Sequence, residues 1–216
     1  KEVEGGGGEV APVRTLWSGS TLYVLAEVVD PVIDLSGSDP WVQDSVEIYV
    51  DAGNAKAGAY RADDTQIRVN AANVVSFGTG DPVFQDARVE SATATTDDGY
   101  LVEVSVSLLE AGGADTFHGL DFQVNDASGG VRTAIRNWAD PTGAGYQSTA
   151  RWGVGRLLPA ETAEPSIELG AATVRAGGAV TVALSGFEPG TEVDLVLSDP
   201  TAGPSAVGAP RAGSAG

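Results

Sequence analysis

The chain has no cysteine and no methionine, a single histidine, and only 6% aromatic residues. Without cysteine there is no disulfide framework and no thiol chemistry. His118 has no second histidine or cysteine to share a zinc ion with. No G-x-S-x-G elbow accompanies it, so no nucleophile triad is visible. Positive charge is also scarce: 12 Lys and Arg stand against 30 Asp and Glu, for a formal charge of -18. That field repels nucleic-acid backbones and anionic membranes, and leaves neutral ligands and cations as the natural partners. No apolar run approaches the roughly 20 residues that a membrane-spanning helix needs. The lack of any Met makes Lys1 an improbable translation start, and "GAPRAGSAG" ends without a closing element. The expectation is therefore a piece of a longer protein, whose leader or anchor could lie outside it.

What is present is period-two alternation. "TLYVLAEVVD" (21–30), "SVEIYVD" (45–51), "QIRVN" (66–70), "YLVEVSVSL" (100–108) and "LDFQVND" (120–126) read as strands. "SGS", "DAGN", "TTDDG", "EAGGAD" and "ASGG" read as the turns between them. "SLLEAGG" is the best short-helix candidate, and an edge strand is expected between Val10 and Leu16. Many short strands with glycine-rich turns argue an all-β chain built as an antiparallel β-sandwich. "RWGVGRLL" (151–158) reads as its closing strand. The organisation expected is a sandwich over 1–158, a linker over 159–165, and a second, partial β module over 166–216, where "GFEPGTEV" reads as a turn between short strands.

Alternation also assigns faces. In "DPWVQDSVEIYVDAGN" (39–54), Val46, Ile48 and Val50 point to the core, so Ser45, Glu47 and Tyr49 point away. Likewise Ile67 and Val69 point in while Gln66, Arg68 and Asn70 point out. Leu120, Phe122 and Val124 point in while Asp121, Gln123 and Asn125 point out. Glu47, Arg68 and Gln123 together offer the acceptors and donors that several hydroxyl groups require. Trp41, Trp138 and Tyr146 could add flat apolar walls, the combination that a sugar ring needs. The alternative is an ordinary solvated sheet face with scattered aromatics, because alternation does not establish that the three strands are neighbours.

"LYVLAEVVDPV", "PWVQDSVEIYVD", "QIRVN", "SFGTG", "FQVNDA" and "NWADPT" resemble carbohydrate-binding module family nine, over about Val10 to Leu158. Modules of that family sit C-terminal to family-ten endo-1,4-beta-xylanases. The resemblance implies an antiparallel β-sandwich that binds xylan or cellulose-type β-1,4-glycans, often at the reducing end, between two aromatic walls. It places the first wall at Trp41 and polar contacts at Glu47, Arg68 and Gln123. Arg132, in "GGVRTAI", is carried over as a further contact. Tyr146 stands where the family usually has Trp, and Gly143 where it has Asn. The family's first strand region is shortened or replaced by the "GGGG" segment. Trp138 reads as a structural residue beneath the loop.

The resemblance also implies structural Ca²⁺. Asp30, Asp34, Asp39 and Asp44 bracket the Trp41 loop, and hard oxygen ligands in a turn-rich segment suit that ion. Asp30, Asp39 and Asp44 are the expected ligands; a solvated acidic loop is the alternative. A glycosidase would need two carboxyl groups across a bond. Glu47, Glu103 and Glu27 are the strand glutamates available, and an Arg68 beside Glu47 would favour its charged form, unsuited to donating a proton. The expectation is a non-catalytic module of a secreted or cell-surface bacterial xylanase. The competing reading is a cell-surface spacer or adhesin, since "VRAGGAVTVALSGFEPGTEVDLVL" resembles immunoglobulin-like repeats of actinobacterial surface proteins.

Overall fold

A computed structural model describes residues 2–4, 9–10, 13–159, 166–170, 181–185, 187, 195–199 and 203–208. Most of the expected 159–165 linker, the "GGGG" segment and most of "GFEPGTEV" lie outside them. The chain divides into two compact units, Lys1–Pro159 and Ala160–Gly216.

The first unit contains β1 (Glu2–Glu4), β2 (Glu9–Val10), β3 (Arg14–Ser18), β4 (Thr21–Val29), β5 (Ser45–Asp51), β6 (Asp64–Asn70), β7 (Val75–Phe77), α1 (Pro82–Asp86), β8 (Val89–Thr95), β9 (Gly99–Ser107), β10 (Phe117–Ser128), β11 (Val131–Asn137) and β12 (Gly153–Arg156). A seven-stranded sheet runs β1-β11-β10-β5-β6-β7, with β12 also paired to β10. A five-stranded sheet runs β2-β4-β9-β8, with β3 also paired to β4. Every pairing is antiparallel. The core between the sheets is mainly valine, isoleucine and leucine: Leu22, Val24, Val28, Val102, Val104 and Val106 from one sheet, and Val46, Ile48, Val50, Ile67, Val69, Leu120, Phe122 and Val124 from the other. Such residues are stiff at χ1 and pack well on a pleated surface. Each full burial stabilises by about 1.5–3 kcal/mol.

The short-helix candidate is one 3₁₀ turn, Leu109–Ala111, in which Leu109 itself has a positive φ of 56°. The α-helix lies elsewhere, at Pro82–Asp86, where Pro82 opens it and the Asp81 side chain accepts from the Val83 amide. The edge strand expected from Val10 to Leu16 is displaced to Arg14–Ser18, where it forms a tight hairpin with β4. In the second unit, β13 (Ser166–Leu169) pairs with β14 (Val182–Ser185), and β15 (Leu195–Asp199) pairs with β16 (Gly203–Gly208).

Candidate functional site

Strand register turns the outward residues of β10, β5 and β6 into a grid. Gln123, Glu47 and Arg68 form one row, each directly opposite the next. Asp121, Tyr49 and Gln66 form the row on one side; Asn125, Ser45 and Asn70 form the row on the other. All nine are buried, so this is not an ordinary solvated face. Irregular segments cover it. Gln43, following the 3₁₀ turn Pro40–Val42, accepts from Asn70 Nδ2 at 2.8 Å. The Trp152 ring lies 5.3 Å from that of Tyr49. The Asp121 carboxylate accepts from the amides of Ala139 and Asp140, each at 2.8 Å, which fixes the start of the 139–152 loop.

Buried polar groups require partners, and Glu47, 1% exposed, has four. Its carboxylate accepts from Arg68 Nε at 2.8 Å, Tyr49 Oη at 2.6 Å, Gln66 Nε2 at 2.5 Å and Asn125 Nδ2 at 2.7 Å. Gln123 donates to Asn125 Oδ1 at 2.8 Å and accepts from Asn137 Nδ2 at 3.1 Å. Burial pushes the Glu47 carboxyl up, but the Arg68 guanidinium and these hydrogen bonds outweigh it and hold the pKa below the ordinary value. Burial, followed by the Glu47 charge, pushes the Tyr49 hydroxyl far up, so it remains a donor.

Over this floor opens a cavity of about 440 Å³. All six residues expected from the sequence line it: Trp41, Glu47, Arg68, Gln123, Arg132 and Tyr146. Trp41 is 46% exposed and Tyr146 56%, so both keep ring surface open. The Arg68 guanidinium carbon sits 6.0 Å from the Trp41 ring centroid, a cation–π contact that ties the wall to the floor. Tyr49, Gln66, Phe77 and Gly78 also line the cavity and were not singled out as contacts. Their signal was partly available: Tyr49 and Gln66 share the outward parity of Glu47 and Arg68. Gly78 makes room for Gln66, because a Cβ there would fall 1.9 Å from Gln66 Oε1. Gly143 lines the cavity too, at a positive φ of 68°. That conformation suits glycine and, among other residues, asparagine best.

Trp138 is not among the lining residues. It is 50% exposed rather than covered, with its ring 5.8 Å from that of Phe122 and its six-membered edge against Gly153. Glu47 is the only carboxylate among the residues lining the cavity. Glu103 and Glu27 lie on the outer face of the five-stranded sheet, where Glu27 pairs with Arg14. Among the described residues, no second carboxyl group therefore faces Glu47 across the cavity.

The acidic residues resolve differently from the sequence expectation. Asp30 and Asp44 come together, but with Asp126 as the third member: one carboxylate oxygen from each lies within 4.8 Å of the others. Asp39 is outside this group, exposed at the N-cap of the Pro40–Val42 turn, because bracketing a loop in sequence does not make carboxylates converge. Asp34 serves the backbone instead, accepting from Ser36 N at 2.8 Å and Gly130 N at 2.9 Å. The Ser36 hydroxyl and then these amides hold its pKa at about 2. Asp126 was legible by parity: it continues Leu120, Phe122 and Val124, as Asp44 precedes Val46 and Asp30 follows Val28. Each is the core-facing position just past an apolar run, so the three meet between the sheets at one end of the sandwich. Burial pushes Asp44 up to about 7, and the Asp30 and Asp126 charges add to the rise. Tyr100, 1% exposed, feels all three charges, and its hydroxyl has no hydrogen-bond partner among the described residues. Crowded oxygens, with Asp30 and Asp44 buried and Asp126 half-buried, beside an orphaned hydroxyl fit a hard cation.

The family described as "Carbohydrate family 9 binding domain-like" matches residues 4–159. Endo-1,4-beta-xylanase A of Thermotoga neapolitana is 43% identical over 150 residues, covering 68% of this chain and 14% of that protein. Exoglucanase XynX of Acetivibrio thermocellus is 41% identical over 162 residues, covering 72% of this chain and 14% of that protein. Thus the chain spans about a seventh of these relatives' length. Among solved structures, a family 9 carbohydrate-binding module from Caldicellulosiruptor kristjanssonii in complex with glucose is 34% identical, with a TM-score of 0.66, covering 73% of this chain and 81% of that one. The same organism's module in complex with cellotriose is 32% identical, with a TM-score of 0.65 and coverages of 78% and 88%. The chain belongs to the carbohydrate family 9 binding domain-like family.

Proposed function

We propose that the Lys1–Pro159 unit binds β-1,4-linked glycans of the xylan and cellulose type, without catalysis, as the accessory module of an endo-1,4-beta-xylanase. The observation that carries this reading is the cavity lined by two half-exposed aromatic walls, Trp41 and Tyr146, over a buried and mutually bonded polar floor. Aromatic faces take the C–H faces of a sugar ring, and planar carboxamide, carboxylate and guanidinium groups take its hydroxyls. The solved neighbours named as complexes with glucose and cellotriose support the same ligand class. The ligand end favoured is the reducing end of a chain, and the parent enzyme acts outside the cell, secreted or held at the bacterial surface. There the module raises the local concentration of polymer at the catalytic domain, which modest affinity suffices to do. The second unit, with its antiparallel strand pairs, is read as part of an immunoglobulin-like spacer. Calorimetric titration of the whole chain with xylobiose, cellobiose and their reduced alditols tests the binding. Heat from the sugars and none from the alditols is expected; no binding by folded protein overturns the reading.

Asp30, Asp44 and Asp126 would hold a structural Ca²⁺, with Tyr100 beside them. The ion would neutralise three like charges and fix the strand ends that lead into the Trp41 loop. At a hundredfold excess over its dissociation constant, a ligand bound only by the folded state adds about 2.7 kcal/mol. For a chain of this size that raises Tm by about 5–10 °C. Chelation should remove this increment and added Ca²⁺ restore it; an unchanged Tm rejects the site.

A further inference from the structure

We infer that Tyr60, which is not among the residues lining the cavity, is a positioning residue that sets the Tyr146 wall through the backbone of Gly145. This rests on reading the cavity as a sugar site. In the loop that carries Tyr146, "DPTGAGYQ", side chains brace the first half: the Asp140 carboxylate accepts from the Thr142 amide at 2.9 Å and hydroxyl at 2.6 Å, and Thr142 Oγ1 accepts from the Ala144 amide at 3.3 Å. Gly143 and Gly145 leave the loop's backbone free to adopt many conformations. Tyr146 is 56% exposed, and its hydroxyl accepts from Gln147, its own sequence neighbour, at 2.8 Å. That bond moves with the loop and cannot orient it.

Orientation comes from below. The Tyr60 hydroxyl donates to the Gly145 carbonyl at 2.7 Å, one residue before the wall. The Tyr60 ring stands edge-on to Trp152 at 5.3 Å, and Trp152 in turn lies 5.3 Å from Tyr49 of the polar floor. Gly145 rests on that aromatic pair: a Cβ there would lie 3.2 Å from Trp152 Nε1 and 3.5 Å from Tyr49 Cζ. Tyr60 is itself held by the segment before it. The Asp51 carboxylate accepts from the amides of Ala55 at 3.0 Å and Lys56 at 2.7 Å. Lys56 Nζ donates to the carbonyls of Trp152 and Gly153. Gly58 and Thr149 bond each other twice, amide to carbonyl at 2.9 Å and amide to hydroxyl at 3.2 Å. The 51–60 segment thus clamps the far end of the loop, and the Tyr60 hydroxyl reaches on to its apex.

Tyr60→Phe tests this, because it keeps the ring on Trp152 and removes only the hydroxyl. Affinity for cellotriose should fall about fivefold, the worth of one hydrogen bond. Tyr146→Ala should then lose less in the Tyr60→Phe background than in the natural chain, since the wall is already misplaced. Unchanged affinity, or losses that simply multiply, would overturn the inference. If the natural chain fails to bind cellotriose, the sugar-site reading fails instead, and amide exchange still decides the brace. The amides of Gln147 and Ser148, both bonded to the Ala144 carbonyl, should exchange about tenfold faster in Tyr60→Phe, with β5 amides unaltered. Equal exchange at those two amides would show that Tyr60 does not set the loop.

Discussion

On β9 the outward residues Leu101, Glu103 and Ser105 are half-buried or exposed, whereas on β5 the outward Ser45, Glu47 and Tyr49 are as buried as the core valines beside them. The two strands show the same alternation in sequence. They differ in what lies above them. The five-stranded sheet has an open groove of about 520 Å³ in which Leu16, Tyr23, Glu90 and Glu103 line the walls. The seven-stranded sheet has a cavity of about 440 Å³ roofed in part by the Trp41 turn and the 139–152 loop. Size does not separate the two. Chemistry does: the covered face holds its polar groups in a bonded array that cannot relax, while the open face leaves them to water. A preorganised array loses little entropy when a ligand arrives, which is what makes it a site.

The largest expected difference between the faces is in stability. Glu47→Ala leaves Arg68, 6% exposed, without its charge partner and should destabilise by about 3–5 kcal/mol. Glu103→Ala, on the open face, should stay within about 0.5 kcal/mol. Urea denaturation midpoints compare them; equal shifts would mean that the buried row is not an energetic unit.

A smaller difference concerns pH. Glu47 has a folded-state pKa below its ordinary 4.5. A group depressed in this way stabilises the fold above its unfolded pKa, and the contribution fades as pH falls through the folded value. Sugar affinity, which needs the same charged floor, should be flat from neutral pH down to about that ordinary 4.5 and decline only below it. A decline centred near pH 6 would show that some other group governs the floor.

How much of this was legible in the sequence follows from the same contrast. Period two placed Glu47, Arg68 and Gln123 outward, because the valines and isoleucines between them leave no other arrangement. It did not place them in one row, since register depends on pairings between segments up to 76 residues apart, as Glu47 with Gln123. It did not reveal the roof either. Tyr60, Lys56 and Thr149 lie in segments without periodicity, and their roles arise from bonds such as that from Tyr60 to Gly145 across 85 residues. Asp126 was within reach of parity, whereas Asp39 was drawn in by its nearness to Trp41 along the chain. Helix α1 rested on a capping Asp81 followed by Pro82, a signal that five residues of sequence carry faintly.

The central claim is that the covered face, and not the open one, binds sugar. Calorimetric titration of cellotriose into the natural chain, Trp41→Ala and Tyr23→Ala tests it most directly. The account expects binding by the natural chain and by Tyr23→Ala with equal affinity, and a loss of at least about tenfold in Trp41→Ala, the effect of removing a stacking wall. Binding that survives Trp41→Ala and fails in Tyr23→Ala would move the site to the other sheet and contradict it.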